Sequence, residues 1–361
     1  MIKKAIFLVL IILAAQNFNG IYAQDNEPGP LAAYQQDSLW HFVDSNGNEM
    51  FPPKKLVSVY GYSEGLIRAT KIIGNEVKWI FLNLNGDPEL VLDYDHVLDF
   101  SHGYAVVANY KTDAQEEAFF SFVNRSGDLI MPMEYIDATT FTEGLGYRMK
   151  ENDAAYIDTT GEIAITLHDV VGYPFSEGFA AVNDKNYEVG YINREGELVI
   201  DMYWDEPGYF SEGLVDVIKN DKFGYIDTAG NIVIDLQYDE ARPFHEGAAF
   251  VAELDERYNY HWGLINRADT MIVDFIFDAV QSFSEGYAAV SKDGKWIYIN
   301  QLGDTQFGRM FDYAGSFKDG LAWASSHSEE KYGFINQKGF WQVELPKAEK
   351  YFDMRFNEFV K

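Results

Sequence analysis

Six glutamates, Glu64, Glu143, Glu177, Glu212, Glu246 and Glu285, stand in one recurring context: an aromatic residue, a short polar one or histidine, the glutamate, then glycine. His102 and Asp319 take the glutamate's place in two further copies. A second recurring position holds Asp44, Asp158 and Asp227, or Asn83, Asn124, Asn193, Asn266, Asn300 and Asn336, three residues before a glycine in all but one copy. Carboxylates at fixed spacing could do two kinds of chemistry. General acid–base work needs one pair of carboxylates in unequal surroundings within one cleft. A calcium loop needs six to eight oxygens around the ion. A glutamate repeated in nearly every unit fits neither and reads as architecture, bonding backbone at a turn. The Asx-to-glycine segments have the chemistry of tight hairpin turns, in which Asx bonds local backbone and glycine takes positive φ. The seven histidines show no HExxH or other ligand spacing, and neither a Gly-x-Ser-x-Gly nor a P-loop pattern is present. The sequence therefore predicts no enzyme, no catalytic residue, no metal site and no cofactor, with calcium kept as the alternative to test.

These carboxylates belong to two alternating motifs. The first ends in Gly65, Gly103, Gly144, Gly178, Gly213, Gly247, Gly286 and Gly320, eight copies typified by FSEG. The second is an aromatic strand closed by a turn, in nine copies such as WHFVDSNG at 40–47 and FGYIDTAG at 223–230. A period of about 34 residues means a repeat architecture. From the end of each strand motif to the next FSEG glycine the step is 17 residues in seven cases and 18 in the first. The other half of the period varies, with extra residues in 70–78, 109–118 and 252–261. Insertions are tolerated in exposed loops rather than in packed strands, so these segments are placed along one edge.

Segments 214–219, 223–227 and 231–235 read as short strands separated by Asn-Asp-Lys and Asp-Thr-Ala-Gly, and no helical period lasts three turns. Alternation puts Ala180 with Val182, Ala288 with Val290 and Phe223 with Tyr225 on shared faces. Small residues such as Gly224 let another backbone approach closely. At these motifs the chain resembles the WG-repeat, or KWG-repeat, family: Trp262-Gly263 carries the name, and Phe223-Gly224 and Tyr332-Gly333 are variants. Trp79-Ile80 and Trp296-Ile297 depart by losing the glycine, Ala154-Ala155 by losing the aromatic residue, and Ala268-Asp269 by losing the turn glycine. The resemblance implies a bacterial β-repeat array with a binding or scaffold role, and it supplies no catalytic residues.

The expected fold is all-β, with tandem β-hairpin repeats of about 34 residues over 40–340, about eight and a half in number, in an open solenoid-like array. An eight-bladed β-propeller is the alternative. Residues 24–39 are expected as an N-terminal linker or cap and 341–361 as a C-terminal cap or tail. Residues 1–23, with Lys3 and Lys4 before an apolar run from Ala5 to Ala15, have the layout of a signal peptide cleaved near Ala23. That run is too short to span a bilayer, so no transmembrane anchor is expected. The predicted destination is the periplasm or the exterior.

Aromatic residues make up 16% of the chain, enough for a large core without disulfides, and there is no cysteine. The net charge of −29 repels phosphate backbones and excludes nucleic acid as a partner. The predicted function is that of an exported, non-catalytic binding or scaffold protein of the cell envelope, with a protein or an envelope glycan as partner. A glycan-active enzyme on a propeller-like fold and a calcium-stiffened acidic structural protein are the alternatives. Trp79, Tyr110, Tyr258, Tyr260 and His261, on or beside the variable segments, are the candidate contact residues.

Overall fold

The computed structural model describes residues 29–111, 117–151 and 153–360; the expected signal peptide lies outside them. Among the described residues there are strands and turns and no helix. The strands form nine antiparallel sheets of three or four strands, nearly all of them joined in chain order by hairpins, a blade-type topology. The chain divides into two compact units, the first running to Ser176 with Arg194–Gly196 and Ala348–Val360, the second comprising Glu177–Asn193 and Glu197–Lys347.

In the second unit, the sheet of Leu214–Lys219, Lys222–Asp227 and Ile232–Tyr238 shows how one repeat is built. Leu214 opposes Asp227 and Lys219 opposes Lys222 in an uninterrupted register. Asn220 and Asp221 both take positive φ, the two-residue type I′ geometry that matches strand twist. Between Phe223 and Tyr225 the register to the third strand shifts, and Gly224 sits at that bulge. A Cβ on Gly224 would lie 2.5 Å from the carbonyl oxygen of Ile234. At this position the glycine leaves room for that close backbone approach, although Ile297 occupies the equivalent bulge of another sheet. Ala155 and Ile80, which replace it, oppose Thr166 and Val91 in regular register.

The recurring 17-residue step has a physical cause. The Tyr225 hydroxyl donates to the carbonyl of Arg242 at 2.7 Å, and its ring packs edge-on against Phe244 with centroids 4.8 Å apart. Tyr298 donates likewise to Gly315 at 2.8 Å and packs on Phe317 at 5.0 Å. In the first unit, Tyr156 donates to Tyr173 at 2.6 Å and packs on Phe175 at 4.9 Å. Each pair spans the same chain interval, so a residue inserted there would break both contacts. The cores lie between consecutive sheets: Tyr225 and Ile234 share a cluster with Ala249, Val251 and Ile265 of the following sheet. Burying each such side chain contributes about 1.5–3 kcal/mol, which a lone sheet could not obtain.

The insertions 70–78 and 252–261 lengthen the same hairpin in their respective sheets, joining Leu66–Ile73 to Glu76–Leu82 and Ala248–Leu254 to Tyr260–Asn266. Segment 109–118 begins and ends in the equivalent strands Tyr104–Tyr110 and Ala118–Asn124.

Two refinements of the expected fold change. Ala32–Gln36, within the segment expected as a linker or cap, is a strand that pairs with Leu39–Val43 on one side and Lys350–Asp353 on the other. Glu358–Val360 completes that sheet, so segments 32–43 and 350–360 share one sheet in the first unit. Among the described residues the sheets number nine, against the eight of the propeller alternative. The reason is that neither end can satisfy its own edge: Ala32 and Ala33 are fully buried, and their strand has a partner on each side.

Candidate functional site

The recurring glutamates are geometrically special. Glu64, Glu143, Glu177, Glu212, Glu246 and Glu285 all have positive φ, between 50° and 55°, as do His102 and Asp319. With the glycine that follows, each forms a two-residue type I′ turn; Ser211 and Leu214, for example, exchange backbone hydrogen bonds of 2.8 and 3.2 Å around Glu212-Gly213. A left-handed conformation costs a non-glycine residue about 1–2 kcal/mol, and asparagine would tolerate it better. Glutamate has reach in return. In the second unit, the Glu177 carboxylate accepts the amides of Glu212 and Gly213, both at 2.7 Å, and Glu212 accepts those of Glu246 and Gly247 at 2.5 and 2.9 Å. Glu246 accepts Gly286 at 2.8 Å, and Glu285 accepts Gly320. In the first unit Glu64 accepts the amide of Gly103.

The residue beside the Asx position braces the same carboxylate from a later repeat: Arg125 on Glu64, Arg194 on Glu143, Gln301 on Glu246 and Gln337 on Glu285. The motif serine adds another tie, since Ser211 donates to the carbonyl of Phe244 at 2.6 Å and Ser284 to that of Phe317 at 2.5 Å. A Cβ on Gly65, Gly103, Gly144, Gly178, Gly213, Gly247, Gly286 or Gly320 would meet open space, so these glycines answer to their positive φ alone.

The Asx position is occupied by turn chemistry. Asp227 Oδ1 accepts the amides of Ala229 and Asn231, both at 2.9 Å, and Asn124, Asn266 and Asn300 repeat the pattern. The Asn231 side chain and backbone hold the Asp227 carboxyl below its usual range. A third set follows an aromatic residue. Asp205, Asp239 and Asp312 each take a lysine ammonium on one oxygen, from Lys219, Lys222 and Lys295, and a backbone amide on the other. The lysine is the main reason their pKa values are lowered. Much of the chain's acidity thus consists of hydrogen-bond acceptors within and between repeats. Among the described residues no group of three or more His, Cys, Asp or Glu is arranged to hold a metal ion.

The candidate contact residues divide. Trp79 is half-buried, its ring 4.8 Å from Tyr60 and 5.5 Å from the Arg68 guanidinium. Arg68 is itself buried and doubly bonded to Asp99 at 2.8 and 3.0 Å. Tyr110 is half-buried with its hydroxyl on His96. Tyr258, Tyr260 and His261 come together in one hairpin of the second unit. Tyr258 is 84% exposed, Tyr260 lies 6.1 Å from Trp262, and His261 lies 3.3 Å from Asp255.

Sequence reasoning missed Tyr187, 67% exposed at the tip of the hairpin joining Ala180–Asp184 to Val189–Ile192. Its signal was available: Asp184-Lys185-Asn186-Tyr187 and Asp255-Glu256-Arg257-Tyr258 share one pattern. Both tyrosines have positive φ, 66° and 62°, and both amides donate to the aspartate carbonyl three residues back at 3.0 Å.

A model of the WG-containing repeat matches residues 120–153, 155–187, 190–223, 223–256, 262–296 and 298–326. No curated protein matches the sequence significantly. Among solved structures, a eukaryotic initiation factor is similar in fold, with a TM-score of 0.62 and 13% identity over 91% of this chain and 96% of that one. BamB from Moraxella catarrhalis aligns with a TM-score of 0.47 and 9% identity over 83% of this chain and 97% of that one. Six consecutive repeats, together more than half of the sequence, place this chain in the WG-containing repeat family.

Proposed function

We propose that this protein is an exported, non-catalytic binding or scaffold protein of the cell envelope, engaging its partner through the hairpin tips of its sheets. One observation carries the reading: the hairpin in which the repeat accepts extra residues is also the one that lifts Tyr258 into solvent at 84% exposure. Elsewhere the recurring polar side chains are engaged in holding repeats together, as Glu212 is on Glu246 and Gly247. Variable tips on a repeated frame suit recognition, because a fixed scaffold can present changed contacts without refolding. Several tips acting together would strengthen individually weak contacts. The signal-peptide layout of residues 1–23 supports the envelope as the place of action.

The test is retention of the purified protein by envelope fractions, compared with a variant whose 252–261 hairpin is shortened to a two-residue Asn-Gly turn. Loss of retention with an unchanged melting temperature is expected. Equal retention by both proteins would contradict the reading.

A further inference from the structure

Five glycines of the FSEG-type turns give their amides to the glutamate of the preceding turn: Gly103 to Glu64, Gly213 to Glu177, Gly247 to Glu212, Gly286 to Glu246 and Gly320 to Glu285. The turn at 141–144, in the first unit, departs from this pattern. Its backbone is the same, with φ of 50° at Glu143 and 81° at Gly144, and Thr142 and Leu145 exchange hydrogen bonds of 2.9 Å. The turn before it carries His102 where the others carry glutamate. Ser101 shows why the imidazole is no substitute. Its hydroxyl donates to the Phe141 carbonyl at 2.7 Å, so towards His102 Nδ1, 3.1 Å away, it can only accept, and the ring is held to its own turn. Among the described residues the Gly144 amide has no acceptor.

We infer that the Gly144 amide is a docking point for a carboxylate from outside the chain, carried by an acidic protein segment or by a small organic acid. This site is separate from the hairpin tips and does not depend on them. The repeats themselves select the ligand class. The Glu177 carboxylate places one oxygen on the Glu212 amide and the other on that of Gly213, both at 2.7 Å, so a planar two-oxygen group fits a turn of this shape. The successive amides of such a turn form a concavity suited to an anion, and their hydrogen bonds to a carboxylate are charge-assisted. Local charge does not oppose the ligand. On the turns flanking His102, Arg125 pairs with Glu64 at 3.1 Å, and Arg194 pairs with Glu143 at 3.1 Å and donates to its carbonyl at 3.0 Å. Exposed charges beyond about 8 Å are largely screened at physiological ionic strength, so the chain's overall −29 weighs little at this turn.

Amide spectra of the isotope-labelled protein, titrated with sodium acetate or an acetylated Glu-Glu peptide against sodium chloride at equal ionic strength, test the inference. The Gly144 resonance is expected to move saturably with acetate or the peptide and not with chloride, with a Kd for acetate on the order of 1–10 mM. Gly213, already held by Glu177, should stay in place. A response to the peptide about 10-fold tighter than to acetate identifies a protein segment as the source, and equal responses identify a small acid. His102→Glu supplies the carboxylate from within. In that variant Gly144 should resonate at its bound position without acetate, and acetate binding should weaken about 10-fold or more. His102→Ala should leave acetate binding within about 2-fold of wild type. The wild-type titration decides the matter even if a variant fails to fold. No saturable shift at Gly144 with either probe, an equal shift at Gly213, or undiminished acetate binding by folded His102→Glu would each overturn the inference.

Discussion

The carboxylate of Glu212 accepts the backbone amides of Glu246 and Gly247, thirty-four and thirty-five residues further along the chain. Glu212 thus holds a disfavoured conformation in its own turn while fixing the turn of the following repeat. Glu212→Asn separates the two roles, because asparagine suits positive φ but is too short to reach. The variant is expected to lose about 1–2 kcal/mol in urea unfolding despite its better local conformation. A gain in stability would show that the long-range contact matters less than the turn.

Tyr225 couples the fixed half of the repeat through its hydroxyl, which reaches the carbonyl of Arg242 from a fully buried ring. Tyr225→Phe leaves that carbonyl without its partner and should cost about 1–2 kcal/mol, read as a lower urea midpoint at unchanged slope. Loss of cooperativity would instead point to separately unfolding repeats.

Gly224 meets the backbone of the neighbouring strand, whereas Gly213 meets open space. Gly224→Ala should therefore be the more damaging of the two, because its Cβ would fall 2.5 Å from the carbonyl oxygen of Ile234. A cost above about 2 kcal/mol is expected for Gly224→Ala, against about 1 kcal/mol for Gly213→Ala, where only positive φ is at issue. Thermal melts of the two variants decide the order.

Glu358 opposes Asp353 across the sheet that joins the two ends of the chain. Burial, then the Asp353 charge, raises its pKa to about 7, with Arg355 pulling the other way. The folded value lies above the ordinary 4.5, so the folded state keeps a proton that the unfolded chain releases. The associated stability is complete below pH 4.5, declines above it and is lost once pH passes about 7. Glu358→Gln should match the wild type near pH 4.5 and exceed it by on the order of 1–3 kcal/mol at pH 8. A difference independent of pH would contradict the assignment.

The repeat, its two motifs and the position of its insertions were legible because they are local: Asp227 and Asn124 close their own turns, and alternation along 214–219 sets the strand faces. The fixed 17-residue step announced a constraint, but its cause, Tyr225 reaching Arg242, needed coordinates. The glutamate of FSEG was legible as a backbone ligand, yet not its target, since nothing local says that Glu177 bonds the next turn in place of its own. The pairing of Ala32–Gln36 was hidden for a similar reason. Alanine and glutamine carry little strand preference, and this strand is specified by its partners Leu39–Val43 and Lys350–Asp353. Among the contact residues, exposure separated Tyr258 from Trp79, which the sequence presents alike as aromatics beside an insertion.

Amide hydrogen exchange at the turns tests most directly whether the repeated carboxylates clamp one repeat to the next. In Glu212→Ala, the amides of Glu246 and Gly247 should lose protection while those of Glu212 and Gly213, held by Glu177, keep theirs. Unchanged protection at Glu246 and Gly247, or equal loss at all four amides, would contradict the clamp.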